Sequence, residues 1–391
     1  IKEGPWALMN PWSFFFLSYA FFTAPIKKFK KRRKSMKRTL AAILTLSMAA
    51  ALCACGSGSG GGQAAGGADK PAAENSSAAS GDVIELKFSD PLDSKHPGHL
   101  GAIYFGERLE ELSGGTMKTT VYGNDALGDE HEVVEMQSYG DSITFSLPSG
   151  NALQNFSPAF YATDFYFKLD DYDQVWKLYD GEFGQYLKDS LDGTGLVVTS
   201  FWDNGFRNLT TTNKEVHTVA DIKNMKIRVI NAETHLAAWK AMGTAATPIA
   251  YSEVYSALQQ GVVEGQENPV SNIIGSKFNE VQKYLIMTRH VHDVAPVVVS
   301  GKAWDSWTDE QKAWVQQASD EAAEYMRDLA SKLEEENLQK LIDSGMTVIE
   351  LTDEERQTFK DAVADVAEQF KDKMGAEAFA KYQECIAEVT G

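Results

Sequence analysis

Alternation and helical spacing divide the chain into an apolar head, a low-complexity stretch and a long body of strand and helix signals. The body opens at "VIELKFSD" (83–90), where Ile84, Leu86 and Phe88 alternate with Val83, Glu85 and Lys87, a period of two that predicts a strand. Across "HLGAIYFGERLEELSGG" the spacing of Ile103, Leu109 and Leu112 predicts a helix that stops at Gly114. "MKTTVYG" reads as a strand, "DEHEVVEMQSYG" as a helix and "SITFSL" as another strand. This β-α-β recurrence predicts a sheet covered by helices, the α/β class.

The pattern resumes with strands at "GLVVTSFW" and "MKIRVI" and a helix at "AETHLAAWKAM", for which Asn231 is placed as cap, Glu233 lies in the first turn and Gly243 follows the last. "SEVYSALQQG" predicts a second helix opening at Ser252 and closing at Gly261. From Thr308 an apolar stripe at Val315, Ala318, Ala322, Tyr325, Leu329 and Leu333 follows a Thr-x-x-Gln capping box. A helix from Asp309 to Ser344 would be roughly 54 Å long at 1.5 Å per residue, enough to lie across two lobes. "MTVIEL" and a second box, Thr352 with Glu355, lead into a final helix, and no solenoid repeat is present.

Charge changes the picture at both ends. Of 37 Lys and Arg, ten lie in residues 1–54 beside a single acid, which leaves 27 bases against 54 acids in the rest of the chain. So acidic a body repels phosphate backbones, which argues against a nucleic-acid partner. The basic head runs from "MKR" through apolar Leu40–Leu52 to "LCAC", the order of an export signal and too short to span a bilayer. "LCAC" resembles a bacterial lipobox, which would make Cys55 the lipidated first residue; a second acyl chain would give a stable anchor. Residues 1–35 read as an upstream extension, 36–54 as the signal peptide and 55–82 as a flexible Gly/Ser/Ala linker. After cleavage Cys385 is the other remaining thiol, so no disulfide framework can form within the mature chain.

The motifs exclude most chemistry. There is no phosphate-binding Gly-x-x-x-x-Gly-Lys-Ser/Thr loop, no His-Glu-x-x-His and no Gly-x-Ser-x-Gly. The nearest histidine pairs, His96 with His99 and His290 with His292, read as packing or surface residues rather than metal ligands. No catalytic residue, metal or cofactor is assigned. Parity in "MKIRVI" sets Lys226, Arg228 and Ile230 on one face and Met225, Ile227 and Val229 on the other. On parity alone Arg228 is a charge on a half-exposed strand face.

Its surroundings suggest more. "GFRNLTTTNKEVHTVADIKNMKIRV" (205–229) and "YSALQQGVVEGQENP" (255–269) resemble the solute-binding proteins of tripartite ATP-independent periplasmic (TRAP) transporters, and "HP" at 96–97, "ALGDEHE" and "SKFNEVQKYL" extend the likeness over residues 83–391. The resemblance implies a two-lobed, hinge-closing periplasmic-binding-protein fold with a long lobe-spanning helix. Lobe I is expected over 83–206 with part of 294–333, and lobe II over 207–293 with 334–391. It implies that Arg228 pairs with a ligand carboxylate, for which a guanidinium fork is geometrically suited. Arg207, Asn268 and Tyr251 are implied as further ligand contacts, Asp90, Asp129 and Ser149 fall near family contact positions, and Trp202 and Asn204, just before Arg207, are expected to line the cleft. Asn224 stands where the family has glycine, and asparagine tolerates the left-handed backbone such a turn needs.

The expected function is therefore capture of a small organic acid, a C4-dicarboxylate or sugar acid, for delivery to TRAP permease subunits. A sensory carboxylate-binding lipoprotein, an ABC-type binding protein and an extracellular hydrolase are the competing readings.

Overall fold

The computed structural model describes residues 83–391; the export signal, Cys55 and the linker lie outside the described residues. Nine strands form one sheet: β1 (Ile84–Ser89), β2 (Met117–Tyr122), β3 (Phe145–Ser146), β4 (Leu196–Thr211), β5 (Lys226–Val229), β6 (Ala245–Pro248), β7 (Gly265–Asn268), β8 (Tyr284–Ser300) and β9 (Thr347–Ile349). Their order is β2-β1-β3-β8-β4-β7-β5-β6, with β9 beside β8. β1 runs parallel to β2 and β3, and β5 runs parallel to β6 and β7. Helices cover these parallel groups, as the α/β expectation requires.

A long antiparallel pair, β4 with β8, joins the two parallel groups. One end of β8 receives β3 at Phe145 opposite Val299, while the far end of β4 receives β7 at Asn208 opposite Asn268. Both strands therefore pass through both lobes. Irregularities in the β4–β8 ladder fall between Val198 and Phe201, Asp203 and Gly205, and Arg207 and Leu209. Bulges bend a strand locally, and these lie where the chain leaves one lobe for the other. The expected boundary at 206/207 falls inside β4, which continues unbroken to Thr211.

The helix Asp309–Asp343 ties the lobes together from outside. Val315, Ala318, Ala322 and Met326 pack into a cluster with Phe88, Phe105, Phe145 and Trp202. Leu341, near its other end, belongs to a separate cluster with Val254, Ile273 and Phe278. Gly101 of the Pro97–Leu112 helix lets the two helices approach closely, since a Cβ there would lie 3.0 Å from Met326 Cβ, and Tyr104 stacks on Tyr325 at 4.4 Å. Both capping boxes form, Thr308 with Gln311 and Thr352 with Glu355. The C-terminal helix Ala376–Thr390 packs Tyr382 against Phe165 and Phe183.

Several local expectations are corrected. The helix Glu233–Ala241 is preceded by Ala232, which offers no side-chain cap, so Asn231 does not cap it. Ser252 lies in a 3-10 turn and gives no capping bond to the helix Val254–Gln259. "SITFSL" contributes a two-residue strand, and the final helix is broken into segments, the last of which starts after Gly375 at φ 83°. Asn224 does adopt the left-handed conformation, with φ 61°.

Candidate ligand-binding cleft

Where the strand ends of the two lobes face each other, the chain encloses a cleft of about 480 Å³, its solvent mouth included. Ligand sites at the carboxyl ends of strands in open α/β sheets are a general consequence of this topology. The wall from the first lobe carries Pro91, Leu92, Glu130, Leu147 and Ser149; the opposite wall carries Arg228, Ile230, Tyr251, Asn268 and Asn272. β4 supplies Asp203, Asn204 and Arg207 between them.

Arg228 is 2 % exposed; the face that parity alone suggests is half-exposed is open at Lys226 but covered at Arg228 and Ile230. Its Nε donates to the Ile249 carbonyl at 2.9 Å, and its buried Nη1 has no partner among the described residues. Burial, and then the neighbouring Arg207, pull its pKa down to about 10. A buried guanidinium with an unfilled donor at a cleft wall is costly unless an anion meets it.

Arg207 is different in kind. Its Nε and Nη2 donate to the two carboxylate oxygens of Glu267 at 2.6 and 2.9 Å, Nη2 also reaches the Glu267 carbonyl, and Nη1 donates to Asp293 at 2.5 Å. Burial opposes its charge, but Glu267 and Asp293 outweigh burial and hold the pKa above the ordinary value. Glu267 is itself fully buried; Arg207 and a hydrogen bond with His290 Nε2 overcome desolvation and hold its carboxyl well below the usual range. This network braces β4 against β7 and β8 directly behind the cleft.

The remaining candidates divide. Asn268 and Tyr251 line the cleft with the arginines; the Tyr251 hydroxyl bonds Ser276 Oγ at 2.7 Å and accepts from Asn272 Nδ2 at 3.3 Å. Ser149 lines it too, its backbone N–H donating to Glu130 at 2.9 Å. Asn204 also faces it, donating to Asp293 at 2.9 Å. Asp129 lies farther out, capping the helix Glu130–Ser138 through bonds to the N–H groups of His131 and Glu132 and lining an adjoining outer pocket. Trp202 and Asp90 do not line the cleft. The Trp202 ring is fully buried beside Phe88 and its indole donates to Ser200, while Asp90 accepts from Leu92 N–H and bonds His99 Nδ1 at 2.9 Å.

Sequence reasoning did not single out Glu130, Asp203 or Asn272. Glu130 follows the helix-capping Asp129, and Asp203 lies one residue after Trp202; both were adjacent to residues already marked. Asn272 is reached from across the cleft by His96 Nε2 at 3.1 Å, a contact between residues 176 positions apart that no local pattern announces. All four paired histidines are buried and hydrogen-bonded, to Asn272, Asp90, Glu267 and Asp203.

Comparison with known proteins agrees with this architecture. The model of the bacterial extracellular solute-binding protein family 7 matches residues 88–373. A solute-binding protein of Verminephrobacter eiseniae is 36 % identical over 276 residues, 70 % of this chain and 81 % of that one. The structure of a sugar acid binding protein from Advenella mimigardefordensis in complex with galactonate superposes with a TM-score of 0.76 at 30 % identity, covering 79 % of this chain and 99 % of that one. A TRAP periplasmic solute-binding protein from Sulfurospirillum deleyianum with bound succinate gives 0.73 at 31 % identity, covering 77 % and 99 %. The chain belongs to the bacterial extracellular solute-binding protein family 7, the extracytoplasmic receptors of TRAP transporters, and is a binding protein rather than an enzyme.

Proposed function

We propose that the protein captures a small organic acid in this cleft through a salt bridge between the ligand carboxylate and Arg228, and delivers it to a TRAP-type permease. The observation that carries the reading is Arg228 itself, buried at the cleft wall with Nη1 unpartnered among the described residues. A carboxylate there would fill the vacant donor and neutralise the charge in one step, a charge-assisted bond of the strong kind. Arg207 serves in this reading chiefly as a brace, because its carboxylate partners are already in place. Asn268, Tyr251 and Ser149 contribute polar contacts to the rest of the ligand, and Asp129 lies at the entrance.

Lobe closure about β4 and β8 would bring Glu130 and Ser149 toward Arg228 and exclude water from the pair. The lobes in this proposal are built mainly from 83–206 and 207–293, with the long helix and the C-terminal segments laid across them. Lipidation at Cys55 would hold the receptor at the outer face of the cytoplasmic membrane, with residues 56–82 as tether. Replacing Cys55 with serine should release the protein from the membrane fraction; retention there would refute the anchor.

Binding is tested by thermal shift with a panel of organic acids. Ligand that binds the native state should raise the melting temperature, and the rise should vanish in Arg228→Met. Delivery is tested separately, by uptake of the bound acid in a strain lacking the gene. Undiminished uptake would point instead to a sensory role for the same cleft.

A further inference from the structure

We infer that the cleft selects a monocarboxylate bearing several hydroxyl groups, an aldonate or uronate, over a dicarboxylate. The inference rests on the reading that Arg228 receives a ligand carboxylate, and it follows from how charge is distributed around that residue.

Arginines 207 and 228 are the cations among the residues lining the inner cleft. Arg207 is spoken for: it holds both carboxylate oxygens and the carbonyl of Glu267 and one oxygen of Asp293. Four of a guanidinium's five donors are thereby engaged. Among the described residues lining the inner cleft, Arg228 is the cation that has no carboxylate against it and a buried nitrogen, Nη1, with no partner, so the cleft can neutralise one carboxylate.

The rest of the lining has the opposite character. Glu130 and Asp203 line the same cavity, each with one carboxylate oxygen already bonded, to the Ser149 N–H and to His292 Nε2, and Asn204 Oδ1 is buried there without a partner among the described residues. Such acceptors match hydroxyl protons, whereas a second ligand carboxylate would meet like charge in a partly dehydrated space. The outer pocket, which shares Glu130 and Arg228 with the inner cleft, adds Asp125, Asp129 and Glu253. Burial first, then the charges of Glu130 and Asp129, push the Asp125 carboxyl up to about 7, so the neighbouring carboxylates add to what burial does. Asn268 and Asn272 complete the set as groups able both to donate and to accept.

A ligand with one carboxylate and a chain of hydroxyls satisfies both ends. Its carboxylate takes Arg228 and its hydroxyls donate to Glu130, Asp203 and Asn204. Succinate or malate leaves one carboxylate without a cation.

The test is calorimetry of the purified protein with D-galactonate, D-gluconate, D-glucuronate, succinate and L-malate, repeated with Glu130→Gln and Asp203→Asn after circular dichroism has confirmed their folding. The wild type should bind at least one sugar acid tenfold or more tighter than either dicarboxylate. Each variant should narrow that gap, by weakening the sugar acid, by admitting the dicarboxylate, or by both. Succinate or malate binding as tightly as the sugar acids would overturn the inference while leaving carboxylate capture intact. A preference unchanged in both variants would overturn its stated origin. Failure of every acid to bind would overturn the carboxylate reading itself.

Discussion

Replacing Arg228 with methionine should have two effects of opposite sign. Methionine keeps much of the side-chain length and adapts to irregular packing, so the substitution removes charge more than volume. Truncating one partner of a buried, hydrogen-bonded charge pair typically costs about 2–5 kcal/mol of binding. That corresponds to roughly 30-fold to several-thousand-fold weaker affinity for the cognate acid. Without ligand the argument reverses. Burial drags the Arg228 pKa down to about 10, and at 1.36 kcal/mol per pK unit this represents a folded-state cost on the order of 3 kcal/mol at neutral pH. The penalty is present below that pKa and fades as the pH rises above it. Arg228→Met should therefore melt a few degrees higher than wild type when both are free of ligand, with the loss of the Ile249 bond offsetting part of the gain. Calorimetric titration and differential scanning calorimetry of the same two preparations read both effects. A variant that binds normally, or one that loses binding and also melts well below wild type, would refute the view of Arg228 as a charge held ready for an anion.

Other parts of the account make separate predictions. Glu267→Ala should cost about 3–5 kcal/mol in urea unfolding, because it breaks the bidentate buried pair and leaves Arg207 with Asp293 as its one carboxylate partner among the described residues. Glu267's depressed pKa contributes stability above the ordinary glutamate pKa that is lost as the pH falls, so the difference between wild type and variant should shrink in acid. Asp125 works the other way: its carboxyl is raised to about 7, so stability should decline as the pH climbs from about 4 through 7, and Asp125→Asn should flatten that slope in pH-dependent melting. Asparagine also suits the left-handed backbone at this position, φ 53°. Thr308→Ala removes the side-chain cap of the long helix and should cost about 1 kcal/mol in chemical denaturation.

Local physics made much of this fold readable. β1, β2, β5 and β9 follow from short-range alternation, and the long helix follows from its stripe and its Thr308–Gln311 box. What local pattern hides is partnership over distance. β4 continues through Gly205, Arg207 and Asn208 because β7 and β8 pair with it there, although a glycine and polar residues would ordinarily end a strand. β8 gives no strand signal in the sequence; buried along nearly its whole length, it lacks the alternation that betrays a half-exposed strand.

The cleft divides in the same way. Arg228, Asn268 and Tyr251 were legible through family resemblance, since composition and parity gave Arg228 only a surface role. The partners that distinguish the two arginines were not legible. Glu267 and Asp293 lie 60 and 86 positions from Arg207, and only the folded sheet brings them to its guanidinium while leaving Arg228 without a carboxylate of its own. Trp202 lies close in sequence to Arg207, yet its ring packs in the core beside Phe88, on a stretch of β4 where ladder irregularities break the simple alternation that sequence parity assumes.

The most direct test of Arg228 as the ligand's anchor is a crystal structure of the protein with whichever acid raises its melting temperature most. The account predicts a ligand carboxylate at charge-assisted hydrogen-bond distance from the Arg228 guanidinium, about 2.7–2.9 Å, between the two lobes. A carboxylate seated elsewhere, with Arg228 Nη1 still unpartnered, would contradict it.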